Sequence, residues 1–333
     1  MRRFDSNGCS QELVKSPDAQ GLTSEPFYWM PIRRLAVLAR LEPKIQTMRS
    51  AVVLDLEDSL WFPDDPIKTE AARASARLAL VSAGPYLESL ANRIRIGVRI
   101  NPFPGIAFAR DAAALARLGI GWEWIFLPKV SDGRSILQAA AKLAQAGVRY
   151  RSIVPILESE SALDGIQEIL AGAVHAGAQW IQYGHQDFSL SAGHWPFWEQ
   201  DDPAFRAHVE WMVAAVEAKG LNYIHTPYMH MRDGEGFMNM RSWLGRICNR
   251  SHGQATLSME QAMACRQDGL GIPSLRKAGG GAESPLEIAR WILSEYGFNA
   301  HAGRSFSVDM GSGRFFSPQE YQAAQRFLER AAP

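Results

Sequence analysis

Short apolar runs alternate with longer amphipathic stretches along most of the chain. The runs are rich in Val and Ile and apolar at consecutive positions, which is typical of strands buried on both faces of a parallel sheet. A helical pattern of about 10–15 residues follows each of the clearer runs, and several of these patterns end at a glycine. The pattern therefore predicts repeated strand–helix units. The clearest runs are 51–56, 94–100, 124–127, 152–157 and 180–183, and the helical patterns are 68–81, 109–118, 135–146, 162–173 and 205–218.

Weaker apolar runs bring the number of predicted strands to about eight. They cover 27–30 or 35–39 near the start, and 221–224 and 255–259 later in the chain. Eight strand–helix units are enough to close a barrel. We therefore predict an α/β protein with a (β/α)8 TIM barrel and a C-terminal helical extension, and a doubly wound open sheet is the alternative.

The two ends of the chain differ from this repeating pattern. Residues 1–26 are polar and predict a flexible N-terminal arm in front of a barrel domain over 27–270. The part after 270 opens with a glycine run at 279–281, which no strand precedes, so we interpret the run as a linker rather than a phosphate-binding loop. Helical patterns at 285–295 and 318–330 then predict a helical lobe over 271–333.

Charge and cysteine content argue against several classes of protein. Lys and Arg number 35, as do Asp and Glu, and this balance argues against nucleic acid or an acidic membrane as the main partner. Apolar runs are too short for a membrane-spanning helix, and the N-terminus lacks the apolar core of a secretory signal. Three cysteines without regular spacing favour a reducing compartment. We therefore expect a cytoplasmic protein.

Charged and polar residues stand at the C-terminal ends of five consecutive runs. Catalytic side chains of α/β barrels come from this end of several strands, so this distribution predicts an active site. The positions are Asp55, Glu57 and Asp58 after the first of these runs, Arg99 and Asn101 at the second, Lys129 after the third, Glu158 after the fourth, and Gly184 to Asp187 after the fifth.

Two of these acids have the spacing of a metal site. Glu158 and Asp187 are 29 residues apart, about one strand–helix unit, so we expect them on neighbouring strand ends. Mg²⁺ is typically held by one or two carboxylates, with water and substrate oxygens completing its shell. Arg99 would supply a fixed cation with a forked set of donors for a carboxylate or enolate oxygen.

Five short motifs resemble the citrate lyase β-subunit/HpcH–HpaI aldolase superfamily. They are AVVLDLEDS, VRIN, FLPKV, ILESES and YGHQDFSLSAG, in the order and at the spacing of that family, and the similarity covers roughly residues 27 to 262. The resemblance implies a (β/α)8 barrel, commonly a trimer or hexamer. It also implies cleavage or formation of carbon–carbon bonds beside a metal-stabilised enolate.

The resemblance also suggests roles for individual residues. Glu158 and Asp187 would bind Mg²⁺, with Mn²⁺ as the alternative ion, and Arg99 would polarise the carbonyl oxygen that becomes the enolate. Asp58 falls where aldolase relatives carry a catalytic histidine, so it is a candidate for proton transfer or for ordering a metal-bound water. The catalytic residues would be Arg99, Asp58, Glu57 and Asp55, and the substrate-binding residues Arg99, Asn101, Lys129 and Gly184. Lys129 would order the pocket rather than form an imine, since the family's metal chemistry needs none.

Three departures from the family pattern bear on the substrate. Ser258 and Met259 stand where lyases of CoA thioesters usually carry His-Pro, and the tail reads Ser317-Pro318 where those lyases tend to have Asp-Pro. An aromatic segment at 194–198 predicts a rim that narrows the pocket or covers a neighbouring subunit. We therefore expect a lyase or aldolase acting on a small 2-oxo or 3-hydroxy acid. The alternatives are a malyl-, citramalyl- or citryl-CoA type of lyase and a non-catalytic regulatory relative.

Overall fold

Eight parallel strands close into a barrel in the computed structural model, which describes residues 24–266, 284–301, 304–309 and 313–331. Each strand pairs in parallel with the next, and the last pairs with the first, so the predicted barrel is confirmed and the open sheet is wrong. The strands are β1 (Glu25–Pro31), β2 (Ala51–Asp55), β3 (Ile96–Arg99), β4 (Gly121–Leu127), β5 (Arg149–Leu157), β6 (Trp180–Tyr183), β7 (Asn222–His225) and β8 (His252–Thr256).

Helices connect the strands, and several begin at a residue whose side chain caps them. Asp65 accepts a hydrogen bond from the backbone N–H of Lys68, and Asp132 accepts one from that of Ser135. The helices are α1 (Leu35–Met48), α2 (Pro66–Ser82), α3 (Gly84–Ala91), α4 (Ile106–Leu118), α5 (Gly133–Gln145), α6 (Glu160–Asp164), α7 (Ile166–His175), α8 (His185–Ser191), α9 (Pro203–Ala218), α10 (Gly234–Ile247), α11 (Met259–Ala264), α12 (Pro285–His301) and α13 (Pro318–Ala331).

The structure differs from two of the weaker strand predictions. Of the two candidates for the first strand, 27–30 is correct, whereas 35–39 lies in α1, whose Leu35, Leu38 and Ile45 are buried at helical spacing. The run at 255–259 ends as a strand at Thr256, because Ser258 caps α11. Helix α10 was not predicted from the sequence.

Large aromatic side chains fill the inside of the barrel. The ring of Phe27 lies 5.1 Å from that of Trp124 and 5.5 Å from that of Trp180. A Cβ at Gly253 would lie 2.6 Å from the Phe27 ring, so only glycine leaves room for this packing. The aromatic filling leaves the C-terminal end of the barrel as the place where a cavity opens.

A C-terminal lobe of two helices and a short hairpin follows the barrel. Helices α12 and α13 pack on each other, and β9 (Ser307–Val308) pairs with β10 (Phe315–Phe316) in antiparallel fashion. The predicted helical extension is therefore present. Residues 1–23 of the predicted arm, the predicted boundary at 270–271 and the glycine run at 279–281 lie outside the described residues. None of the described helices is long and apolar enough to cross a membrane.

The lobe lies over the C-terminal end of the barrel. The backbone N–H of Phe315 donates to the carbonyl of Met229 at 2.9 Å, and the Ser317 hydroxyl donates to the side-chain oxygen of Gln186 at 2.7 Å. The aromatic segment predicted as a rim helps to hold it, since the indole of Trp195 donates to a carbonyl at the start of α12 (3.2 Å). The lobe thus forms a roof over the strand ends.

Candidate active site

The ends of β2 and β3 hold a fixed arginine. Asp55 and Arg99 are register partners, and the Arg99 guanidinium donates to both Asp55 carboxylate oxygens, at 2.7 and 2.8 Å. Asp55 also accepts the backbone N–H groups of Glu57 and Ser59. The remaining guanidinium nitrogen donates to Asp58 at 2.8 Å. Asp55 therefore positions Arg99, and this forked pairing fixes the plane of the guanidinium.

The charge of Arg99 is stabilised by its surroundings. Its guanidinium lies 4.8 Å from the centre of the Trp29 ring, a cation–π contact. Burial lowers the pKa of Arg99, but the carboxylates of Asp55, Asp58 and Glu57 outweigh it and raise the pKa well above its usual value. Arg99 is therefore a permanent cation facing the cavity.

Lys129 connects the acids of three different strand ends. It has a left-handed backbone (φ 54°), and its backbone N–H donates to Glu158 at 2.6 Å. Its ammonium group lies 2.6 Å from Glu57 and 3.3 Å from Asp187. Burial lowers the Lys129 pKa, but Glu57 and Asp187 outweigh it and raise the pKa well above its usual value. An imine requires a neutral amine, so this charged lysine suits ordering of the pocket.

The two predicted metal ligands come from neighbouring strands. Glu158 directly follows β5, Asp187 lies in the first turn of α8 after β6, and β5 and β6 pair through Leu157 and Tyr183. Burial, followed by the charge of Asp187, raises the Glu158 pKa well above its usual value. Burial raises the pKa of Asp187 to about 6, although Lys129 opposes the shift. Both carboxylates line one cavity, so the ionised pair would gain from a cation.

Glu57 and Asp58 are adjacent in sequence but differ in environment. Glu57 is buried behind the cavity wall, where burial and then the charge of Asp58 raise its pKa to about 8. Asp58 lines the cavity. Burial raises its pKa, but Arg99 and Lys129 outweigh burial and hold the pKa below its usual value. Asp58 is thus the ionised acid of the pair at neutral pH.

The donor set fits a divalent cation that prefers oxygen. Five carboxylates (Asp55, Glu57, Asp58, Glu158 and Asp187) surround two cations (Arg99 and Lys129), a formal excess of three negative charges when all are ionised. Within the described residues no group of three or more His, Cys, Asp or Glu is arranged to hold a metal, so Glu158 and Asp187 would be a two-carboxylate set. Water and substrate oxygens usually complete such a set around Mg²⁺.

Two of the predicted substrate-binding residues, Asn101 and Gly184, have contacts that give them a structural role. Asn101 is fully buried, and its amide donates to the Leu56 carbonyl at 3.0 Å and to Asp111 at 2.7 Å, behind the cavity wall. Gly184 lines the cavity, where a Cβ would lie 2.5 Å from a carboxylate oxygen of Glu158. Asn101 thus supports the site from outside the cavity, and Gly184 makes room for Glu158.

Sequence reasoning missed three residues of the site. Trp29 stacks on Arg99, and Gln182 presents a buried side-chain oxygen that has no hydrogen-bond partner among the described residues. Gln319 of α13 donates to Asp187 at 2.7 Å. Trp29 and Gln182 lie within strands rather than after them, and Gln319 comes from the lobe, so the pattern of charged strand ends could not indicate them. The cavity itself has a volume of about 280 Å³.

The family model described as HpcH/HpaI aldolase/citrate lyase matches residues 44–242. The chain belongs to this family. The predicted resemblance is thereby confirmed, and the family description is that of a lyase-type family. No curated protein sequence gives a significant match.

Solved structures similar to this member of the HpcH/HpaI family share its fold at low sequence identity. Malate synthase from Haloferax volcanii, in a ternary complex with pyruvate and acetyl-CoA, is 14% identical, with a TM-score of 0.69 over 93% of this chain and 91% of that chain. The citrate lyase β subunit from Mycobacterium tuberculosis, complexed with oxaloacetate and magnesium, is 20% identical, with a TM-score of 0.55 over 73% and 96%. The protein CitE from that organism, with magnesium, acetoacetate and coenzyme A, is 20% identical, with a TM-score of 0.55 over 93% and 98%.

Proposed function

We propose that the protein is a Mg²⁺-dependent carbon–carbon bond lyase or aldolase acting on a small 2-oxo or 3-hydroxy acid. The observation that carries this proposal is that Glu158 and Asp187, from neighbouring strands, line one cavity with Arg99. The family supports it, as does the fold shared with a citrate lyase β subunit that was solved with oxaloacetate and magnesium.

The proposed reaction develops negative charge on a carbonyl oxygen, and the residues of the site would stabilise that charge. Mg²⁺ held by Glu158 and Asp187 would act as a Lewis acid toward this oxygen. Arg99 would stabilise the same charge from its fixed position, and because Asp55 already holds the guanidinium, little reorganisation is needed during the reaction. Lys129 would hold Glu158 and Asp187 in place through its backbone N–H and its ammonium group.

Cleavage of a 4-hydroxy-2-oxo acid illustrates the proton transfers. The bond between C3 and C4 breaks, and its electron pair forms the C2–C3 double bond of an enolate while the C4 oxygen becomes an aldehyde carbonyl. Asp58, which lines the cavity, would accept the hydroxyl proton directly or through a water molecule. Return of that proton to C3 gives the 2-oxo acid, so atoms and electrons balance without an oxidant or a reductant.

Removal of one carboxylate at a time tests this function. The wild-type protein is screened with 2-oxo acids, aldehydes and hydroxy-oxo acids in Mg²⁺, and bond cleavage or formation is detected by mass spectrometry. We expect Glu158→Gln and Asp187→Asn each to lose at least about 100-fold in kcat/KM, with the fold intact by circular dichroism. Glu168→Gln, an exposed acid on α7, is the control and should behave as wild type. Wild-type activity of either site variant in EDTA-treated buffer would refute the mechanism.

A CoA-thioester lyase of the malyl-, citramalyl- or citryl-CoA type is the second candidate. It is favoured by fold likeness over 93% of the chain to proteins solved with acetyl-CoA or coenzyme A. Calorimetric titration with CoA separates the two candidates, since the aldolase should not bind it.

A non-catalytic relative is the third candidate. A crystal soaked with Mg²⁺ and pyruvate would argue against it by showing both bound at Glu158 and Asp187. We further propose that the protein is a cytoplasmic homo-oligomer, either a trimer or a hexamer. Light scattering would measure the number of subunits.

A further inference from the structure

One side of the cavity is lined by charged residues and the other mainly by apolar residues; we call these sides the charged arc and the apolar arc. All of the acids and both cations described above lie at or just after the C-terminal ends of strands β2 to β6, which are consecutive in the barrel. The three remaining strands, β7, β8 and β1, are also consecutive and close the circle. Their side of the cavity is lined mainly by apolar side chains, with Arg34 after β1 and Thr226 after β7 as the polar exceptions. The apolar side chains are Trp29 and Met30 of β1, Met229 and Met231 after β7, and Leu257 after β8. A molecule in the cavity would therefore meet a cluster of charges on one side and mainly hydrocarbon on the other.

The lobe extends the apolar arc into a roof. Phe306, Val308 and Phe315 line the cavity, and the rings of Phe306 and Phe315 stack 5.2 Å apart. The neighbouring positions Ser307 and Phe316 are buried, and Phe316 belongs to the core of the lobe. This is the alternation that an extended hairpin imposes, with one face toward the cavity and the other toward the lobe.

Backbone hydrogen bonds join the roof to the apolar arc. Phe315 donates to the Met229 carbonyl at 2.9 Å, and Met231 donates to the Gly313 carbonyl at 3.0 Å. The loop after β7 and the segment at β10 thus form one continuous surface. Because this surface begins beside the charged arc, a single ligand can contact both.

The cavity is larger than a three- or four-carbon acid requires. Its volume of about 280 Å³ is close to the lower end of the range of about 300–1,000 Å³ that is typical of pockets for drug-sized ligands. The polar side chains on this half of the cavity are Arg34, Thr226, and Ser317 and Gln319 of the lobe, and the last two already donate to Gln186 and Asp187. The amides of a pantetheine arm need such partners when buried, whereas a hydrocarbon chain needs none.

We propose that the substrate is a 2-oxo or hydroxy-oxo acid that carries an apolar tail, aliphatic or aromatic. Its carboxylate and oxygen atoms lie against the charged arc, and its tail lies between the apolar arc and the roof. Met231, Leu257, Val308 and Phe315 then determine specificity for the tail. This inference rests on the proposed function and narrows its substrate class.

Turnover of a homologous series measures the contribution of the tail. The substrates are 4-hydroxy-2-oxo acids with hydrogen, methyl, n-propyl, n-pentyl or phenyl at C4, assayed with Mg²⁺ for release of pyruvate. We expect kcat/KM to rise about fourfold for each added methylene until the cavity is filled. If kcat/KM is flat or falls from methyl onward, or if CoA thioesters are the better substrates, the inference is overturned.

Two variants test whether the named residues contact the tail. Val308→Phe and Leu257→Phe each place a larger side chain in the apolar half, so the ratio of kcat/KM for the n-pentyl and methyl substrates should fall at least tenfold. Ile106→Phe, at a position 74% exposed on α4, is the matched control and should leave this ratio unchanged. If neither cavity variant changes the ratio, the tail does not lie against this surface.

Binding of pyruvate and of longer 2-oxo acids, which resemble the substrates but lack the 4-hydroxyl group needed for cleavage, separates this inference from the proposed function. Pyruvate, 2-oxohexanoate and 2-oxooctanoate are titrated calorimetrically in the presence of Mg²⁺, without any turnover. Affinity that rises with chain length supports the apolar pocket even if no carbon–carbon cleavage is found, a result that would overturn only the proposed function. Equal affinities, together with turnover of short acids alone, would overturn only the inference.

Discussion

Gly184 lies directly against the proposed metal ligand Glu158, and replacing it with alanine tests the site with a single methyl group. A Cβ there would lie 2.5 Å from a carboxylate oxygen of Glu158 and 2.7 Å from the Glu158 Cβ. The φ angle of Gly184 is −107°, which alanine adopts without strain. The effect of Gly184→Ala must therefore come from its clash with Glu158 rather than from the backbone.

The size of the effect follows from the required movement. An ordinary contact begins near 3.4 Å, so the Glu158 carboxylate must move by about 0.9 Å from its place 2.5 Å from the new methyl group. That movement stretches or breaks its 2.6 Å hydrogen bond with the Lys129 backbone. Misplacement of a catalytic group by about 1 Å costs roughly 100-fold in rate, or about 2.7 kcal/mol. We expect this loss in kcat/KM, together with an increase of at least about tenfold in the Mg²⁺ dissociation constant.

The assay combines Mg²⁺ titration by calorimetry with steady-state kinetics. Gly245→Ala is the matched control, because a Cβ at Gly245 on α10 meets nothing within 4 Å, and alanine stabilises a helix relative to glycine. Overpacking at Gly184 should lower the free energy of unfolding by about 1–3 kcal/mol, and thermal unfolding shows whether the fold is retained. A folded Gly184→Ala protein with wild-type Mg²⁺ affinity and turnover would show that the position of Glu158 is unimportant.

Two further predictions concern stability. Asp111→Ala leaves the buried groups of Arg77 and Asn101 without their acceptor, so urea unfolding should show a loss of about 3–5 kcal/mol, whereas the exposed Asp164→Ala should change little. Burial, aided by neighbouring histidines, lowers the pKa of His225 from 6.5 to about 3, so only the unfolded state binds its proton between these values and stability falls as the pH drops below 6.5. At pH 5 this effect is about 2 kcal/mol, and His225→Asn should lose correspondingly less stability than wild type between pH 7 and pH 5; equal losses would contradict it.

The barrel and the charged residues at its strand ends could be predicted from the sequence, because both depend on residues that are close together in the chain. A parallel strand buried on both faces is apolar throughout, and the polar residue that ends it stands next to it in the chain. This is why Arg99, Glu158 and Asp187 could be predicted to lie on one face before any coordinates were known. The same reasoning placed Asn101 in the cavity, but β3 ends at Arg99, and the Asn101 amide is used by Asp111 instead.

The rest of the site depends on contacts between distant parts of the chain. Gln319 reaches Asp187 from 132 positions away, and Ser317 reaches Gln186 from 131. The family pattern draws attention to Ser317 but not to its contact with Gln186, and Gln319 does not stand out, because uncharged side chains near the start of a helix are common. Glycines such as Gly184 are also inconspicuous, since their importance lies in what a Cβ would displace.

The lobe should therefore be considered part of the candidate active site rather than an appendage to the barrel. Residues 1–266 make up 266 of the 333 positions, so the 93% of the chain that matches malate synthase extends beyond the barrel into the lobe. In this chain the lobe donates a hydrogen bond to the proposed metal ligand Asp187 and supplies the roof over the apolar arc. Under the proposed function, the barrel provides the charges and the lobe encloses them, so we expect changes in the lobe to alter which acid is accepted and changes in the barrel to alter the reaction itself.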